Sequence, residues 1–264
     1  INGMTYINHI DTVRTGNIRM EADNDSERKR LGFYSSFADA ELKGKLSYGD
    51  MFSYFTHTLR SYLPSMSVRE RGTAPPAPLR GEAARIDSYY LLEVDVKEAN
   101  NVAGIFLPGL QLSQGTHLSF LFNPESDVFS LRLDSELIEN EKFFVSDLKA
   151  SCRNQADSIS LFVTAADVYV KGLYMPDFSM IGGAKENRIN LATRFNDAEN
   201  GSYAMVSTTS TLRADSTGVP QIAVRFNPST FSGNGQTWNI GAREIVYDSI
   251  RLKVDRFSLS NGPQ

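Results

Sequence analysis

Apolar and polar residues alternate one by one along most of this chain. In HLSFLFN, Leu118, Phe120 and Phe122 share one face of an extended segment; in VFSLRLD, Phe129, Leu131 and Leu133 do so, opposite Ser130 and Arg132. The period returns in SISLFV (Ile159, Leu161, Val163), RINLATRF (Ile189, Leu191, Phe195), PQIAVRF (Ile222, Val224, Phe226) and SIRLKV (Ile250, Leu252, Val254). A period of two makes a sheet with one apolar and one wet face, so the fold class is all-β. Turn-forming clusters, NPESD, GGAKEN, DAENGS, RADSTG and SGNG, separate the runs by short gaps. Neighbouring strands are therefore expected to pair antiparallel, as a meander.

Three runs close on Phe-Asn: LFNPES from Leu121, RFNDAEN from Arg194 and RFNPST from Arg225. The Phe ends the apolar face and the Asn, with Pro or Asp, turns the chain, which predicts a hairpin at each. One segment breaks the period. In SYGDMFSYFTHTLRSYLPSM, residues Met51, Phe52, Phe55, Leu59 and Tyr62 recur at helical spacing, predicting a helix over about 48–63 with Asp50 as N-cap and Pro64 as stop. A second short helix is expected from Val102 to Leu107, ahead of Pro108. Between them, residues 67–87 lack apolar periodicity and read as a linker or mobile loop. It divides N-terminal strands and helix (1–66) from a serial strand array (88–264).

The 27 Lys and Arg residues are dispersed, and the net charge is -4, so the basic footprint of a nucleic-acid binder is missing. One cysteine, Cys152, excludes an internal disulfide framework and any Cys-based zinc site. His9, His57 and His117 are too dispersed to predict a metal site, and no phosphate loop or nucleophile-elbow motif is present. These readings predict a non-enzymatic protein without a cofactor. No apolar run reaches the roughly 18 residues of a membrane-spanning helix. The start at Ile1 fits a piece of a longer protein.

Two stretches carry a family resemblance. Phe33 to Pro64, FYSSFADAELKGKLSYGDMFSYFTHTLRSYLP, resembles a phrase of the Bacteroidetes members of the TamB/AsmA-like family, an "A-E-L-x-G" strand followed by a helix closing on Tyr-Leu-Pro. Val224 to Gln264 resembles the same family's phrase of strand, Trp, Ile-led strand and "I-x-L-x-V-x-x-F-x-L-x-N-G-x-Q". The resemblance implies an internal fragment of a periplasmic protein, anchored in the inner membrane by a segment outside this chain. It implies a long curved sheet, a β-taco with a hydrophobic groove for phospholipid transport or outer-membrane protein assembly. An Omp85-type outer-membrane barrel is the implied partner, through regions outside this fragment.

On that reading, phospholipid acyl chains lie on the apolar set named above, from Leu118 to Val254. The same residues also fit a closed β-sandwich, a glycan- or protein-binding module of the cell surface. Period-two patterning serves both. A glycan binder is expected to display aromatics in loops, and Tyr203, Phe231 and Trp238 are the evident ones.

Overall fold

The computed structural model describes residues 4–7, 12–25, 29–44, 51–66, 89–100, 102–103, 109–124, 126–155, 157–214, 220–233, 235–248 and 251–261. The fold is all-β, as the alternation predicts, with one α-helix among the described residues. In chain order the strands are β1 (Met4–Ile7), β2 (Thr12–Gly16), β3 (Arg19–Asn24), β4 (Lys29–Tyr34) and β5 (Ala38–Gly44). Helix α1 (Met51–Tyr62) and a 3-10 turn (Pro64–Met66) follow, then β6 (Tyr90–Val96), β7 (Gln111–Leu112) and β8 (His117–Asn123). Five long strands come next: β9 (Val128–Asn140), β10 (Phe143–Gln155), β11 (Ser158–Val170), β12 (Leu173–Lys185) and β13 (Arg188–Asp197). The chain closes with β14 (Ser202–Ala214), β15 (Pro220–Phe226), β16 (Ser229–Gly233), β17 (Gln236–Tyr247) and β18 (Leu252–Asn261).

Strands β3 to β18 form one 16-stranded sheet in which most neighbours in sequence are neighbours in space, and β1 and β2 pair separately. All described pairings are antiparallel. Strands β9 to β13 begin at Val128, Phe143, Ser158, Leu173 and Arg188, every 15 residues, because two-residue turns join strands of 13. Two of these turns, Lys171-Gly172 and Glu186-Asn187, have positive φ at both positions, the type I′ geometry whose twist matches that of the flanking strands.

By contacts the chain gathers into two compact units, one of residues 1–54, 78–152 and 165–174, the other of residues 55–77, 153–164 and 175–264. In the first unit, register places Met20, Phe33, Ala40, Val94, Leu118 and Leu133 in one cross-strand row. Ala22, Leu31, Leu42, Leu92, Phe120 and Leu131 form the next row on the same face. The core lies at its far end, where Tyr90, Phe122 and Phe129 oppose one another and are 0%, 0% and 2% exposed. The opposite face holds Arg30, Glu41 and Lys43, linked through Glu41, and Lys97 bound to Asp39 at 2.6 Å.

In the second unit the end of α1 docks on hairpins. The last-turn carbonyl of Tyr62, an orphan of the helix, accepts the Asn187 N–H at 3.0 Å, and Asn187 Oδ1 accepts the Ser65 N–H at 2.7 Å. Asn154 Nδ2 donates to the Tyr62 hydroxyl at 2.7 Å, and Thr58, Tyr62 and Leu63 are buried. The helix spans 51–62 within the expected 48–63; Asp50 lies outside the described residues, as do 67–88 and Gly104–Pro108. The second expected helix is described only at its start, where Ala103 N–H donates to Ala99 O at 2.8 Å.

The Phe-Asn endings divide. At Asn123 and Asp197 the chain does turn: Asn123 Oδ1 accepts the Ser126 N–H, and Asp197 accepts the Asn200 N–H at 3.0 Å. Asn227-Pro228 is different, and the hairpin expectation is corrected there. Strands β15 and β16 both pair with β14 and both with β17, so the pair is a bulge in one strand line: Thr208 faces Phe226, yet Met205 faces Thr230. Polar groups hold the bulge. Asn227 N–H donates to Ser207 O at 2.9 Å, Asn227 Nδ2 to Ser207 Oγ at 3.0 Å, and Ser207 N–H to Ser229 Oγ at 2.9 Å. The Pro removes a donor where the ladder is already interrupted.

Hydrogen bonds from the Asn200 side chain, then from the Asn200 backbone, hold the Asp197 carboxyl below its ordinary value of 3.8. A depressed folded-state value contributes stability above the unfolded value that is lost as pH falls through the folded one. Asp197→Asn is therefore expected to lower stability near neutrality, where the charged carboxyl contributes, and to make little difference at pH values below the folded one, so that the acid limb of the stability–pH curve flattens. Urea midpoints across that range check it.

Candidate functional site

Opposed residues of an antiparallel pair lie on one face, so register shows which of the predicted apolar residues share a surface. In the first unit Leu118 faces Leu133, Phe120 faces Leu131 and Phe122 faces Phe129. In the second, Ile189, Leu191 and Phe195 of β13 face Ser210, Thr208 and Ala204 of β14. Ser210 and Thr208 in turn face Val224 and Phe226, while Ile222 faces Leu212. Beyond these, Ile245 and Tyr247 of β17 face Val224 and Ile222 on one side and Val254 and Leu252 on the other. Leu161 joins this face: a Cβ on Gly182 would meet Leu191 Cδ2 at 2.6 Å and Leu161 Cβ at 3.4 Å.

Two features depart from a uniformly apolar surface. Phe122, Phe129 and Ile159 are buried, and so form core rather than a surface that a ligand touches. Eleven others, Leu118, Phe120, Leu131, Leu133, Leu161, Val163, Ile189, Leu191, Phe195, Val224 and Phe226, are half-buried, and Ile222, Leu252 and Val254 are exposed. Ile250 lies outside the described residues. In the second unit, Thr208 and Ser210 lay a hydroxyl stripe between the β13 and β15 side chains. The alternation of TTSTL within β14 is too polar to announce a strand facing an apolar surface, so sequence reasoning missed it.

The bulge at Asn227-Pro228 has a consequence for the face. It shifts the alternation by one, so Phe231 faces Ala204 and lies on the side of Phe226; Phe231 stacks on Trp238 with centroids 6.4 Å apart. Tyr203, one residue from Ala204, points to the other face. The three aromatics considered for glycan binding are thus strand residues divided between two faces.

Among the described residues no group of three or more His, Cys, Asp or Glu is placed to hold a metal. His117 Nδ1 lies 2.7 Å from Asp95, His57 is exposed on α1, and His9 lies outside the described residues. Glu41 and Glu93 oppose each other on the polar face of the first unit. Lys43 and Arg30 hold the Glu41 carboxyl below the usual range, the reverse of what a general acid needs. The half-buried Ser113 and the buried Thr116 and Ser135 form a hydroxyl cluster, Thr116 Oγ1 and Ser135 Oγ sharing a hydrogen bond at 2.6 Å, that is tied to the backbone by the Leu137 N–H, which donates to Ser113 Oγ at 3.0 Å. Burial raises the Cys152 thiol above its ordinary value, away from nucleophilic character.

No described helix is long and apolar enough to cross a membrane. Compared with protein-family models, curated proteins and solved structures, the chain matches none.

Proposed function

We propose that this chain is a non-enzymatic strand array of the TamB/AsmA-like kind, whose apolar sheet face receives phospholipid acyl chains. One observation carries the reading: in each unit a row of large apolar side chains is left half-covered on one face, while ion pairs occupy the other face. Leu42, Leu92, Phe120 and Leu131 supply such a row in the first unit; in the second, Leu161 and Leu191 adjoin at Gly182, and Val224 lies on the same face beyond the Thr208 and Ser210 hydroxyls. An alkyl chain on such a row gains up to about 0.8 kcal/mol per methylene removed from water, without directional contacts that would fix its position. Headgroups remain in water at the margins. The periplasmic setting, the inner-membrane anchor beyond this fragment and the Omp85-type partner belong to the same proposal, through the resemblance of Phe33–Pro64 and Val224–Gln264.

The test is native mass spectrometry of protein from a Gram-negative host, followed by solvent extraction and lipid analysis. Phospholipid is expected to co-purify and to be lost when Phe120, Leu161 and Val224 are changed together to Asp, with the far-ultraviolet circular dichroism unchanged. Protein that is lipid-free and unfolds on the same changes would make these side chains a closed core and overturn the reading.

A further inference from the structure

On the wet face of the second unit, positive charge collects in one place. Ile189, Ser210 and Val224 lie on the apolar side, so Arg188, Thr211 and Ala223, which face one another in a row across β13, β14 and β15, lie on the other. Arg213 and Arg225 stand two residues from that row, on β14 and β15, and share its face. Val224 faces Ile245, which puts the neighbouring Glu244 of β17 on the wet side as well. Ala223 is buried and short where the side chains around it are long, and it floors a hollow of about 450 Å³ that they wall.

Three guanidiniums and one carboxylate line this hollow. Arg213 Nη2 lies 3.4 Å from Glu244 Oε2 and Arg225 Nη2 lies 3.7 Å from Glu244 Oε1, so two arginines divide one carboxylate and neither closes the two-bond fork that an arginine can make. Among the described residues Arg188 has no acidic partner and the Thr211 hydroxyl no hydrogen bond. The nearby charges are matched elsewhere: Lys185 pairs with Asp157, and Asp255, which faces Glu244, lies 4.0 Å from Arg256. Three cations against one anion leave two positive charges over.

We propose that this hollow binds a phosphate group, either free or carried on a lipid headgroup. The Arg188 fork, the N–H groups that Glu244 leaves open on Arg213 and Arg225, and the Thr211 hydroxyl surround one space with donors, and a dianion balances the charge. Glu244 holds Arg213 and Arg225 beside Ala223 and competes with the anion for both. The site lies on the face away from Leu191 and Val224, so it does not depend on the acyl-chain surface proposed above.

Isothermal titration of the 264-residue chain with inorganic phosphate, at an ionic strength fixed with chloride, is expected to show one saturable site. Arg188→Gln weakens it by about tenfold, and Arg188→Lys, which keeps the charge and loses the fork, by less. Glu244→Gln removes the competitor and tightens phosphate binding, whereas arginines gathered only to neutralise Glu244 would gain nothing from its loss. Arg194→Gln, on the same face beside Asp177, leaves binding unchanged. Flotation with phosphatidylglycerol vesicles separates the two sources: flotation lost in Arg188→Gln assigns the headgroup, and phosphate binding without such flotation assigns a soluble phosphate. The proposal is overturned if neither phosphate binding nor Arg188-dependent flotation is seen, or if binding is indifferent to both Arg188→Gln and Glu244→Gln.

Discussion

Phe122→Ala is expected to cost about 3 to 5 kcal/mol, the largest loss from any single truncation in the first unit. The side chain is wholly buried, stacks on Tyr90 with centroids 6.1 Å apart and on Phe120 at 6.3 Å, and opposes Phe129. Truncation removes the ring's transfer free energy and leaves a void that neighbours on fixed strands cannot fill, since Tyr90 and Phe129 are held by ladder pairing on both sides of β8. Phe162, also a strand phenylalanine but 46% exposed, is the control: Phe162→Ala is expected to stay within about 0.5 kcal/mol. Urea denaturation of both variants checks the pair. Equal losses would show that the two rings are equally covered in solution and that the first unit's core lies elsewhere.

How much of this was legible follows from where the alternation is unbroken. HLSFLFN and RINLATRF keep their phase from end to end and became β8 and most of β13. Strands β10 and β12 are harder to read because Asp147 and Asp177 adopt positive φ inside them, a backbone conformation that departs from the regular extended strand. In β12 Pro176 and Gly182-Gly183 add the signals of a turn to what is a 13-residue strand, so GGAKEN turns only at Glu186-Asn187. The same limit applies to the candidate surface. Which side chains share a face follows from period two within a strand, but which strands adjoin, and whether a bulge such as Asn227-Pro228 intervenes, depends on register. Hence Phe231 and Trp238 emerged beside Phe226, and Thr208 and Ser210 within the apolar face, only once pairing was known.

Gly44→Ala is expected to cost about 2 to 3 kcal/mol, whereas Gly182→Ala costs well under 1 kcal/mol, although an added Cβ meets a neighbour at 2.6 Å in both. The difference lies in what is met. At Gly44 the neighbour is the carbonyl oxygen of Tyr89, with Tyr90 Cδ1 at 3.3 Å, in the stretch where Gly44 pairs with Tyr90 across β5 and β6. Relief requires the two strands to part, which loosens the ladder beside the buried Tyr90–Phe122 stack. At Gly182 the neighbour is a terminal methyl of Leu191, which a rotamer change moves aside, and the new methyl then fills part of a notch between Leu161 and Leu191. The substitutions also separate folding from the proposed lipid surface. Gly44→Ala is expected to lower the urea midpoint in lipid-free protein, while Gly182→Ala leaves the midpoint in place and changes only how acyl chains seat between Leu161 and Leu191. Equal midpoint losses would mean that Leu191 is as immobile as the backbone, and that the face around Gly182 is closed core rather than open surface.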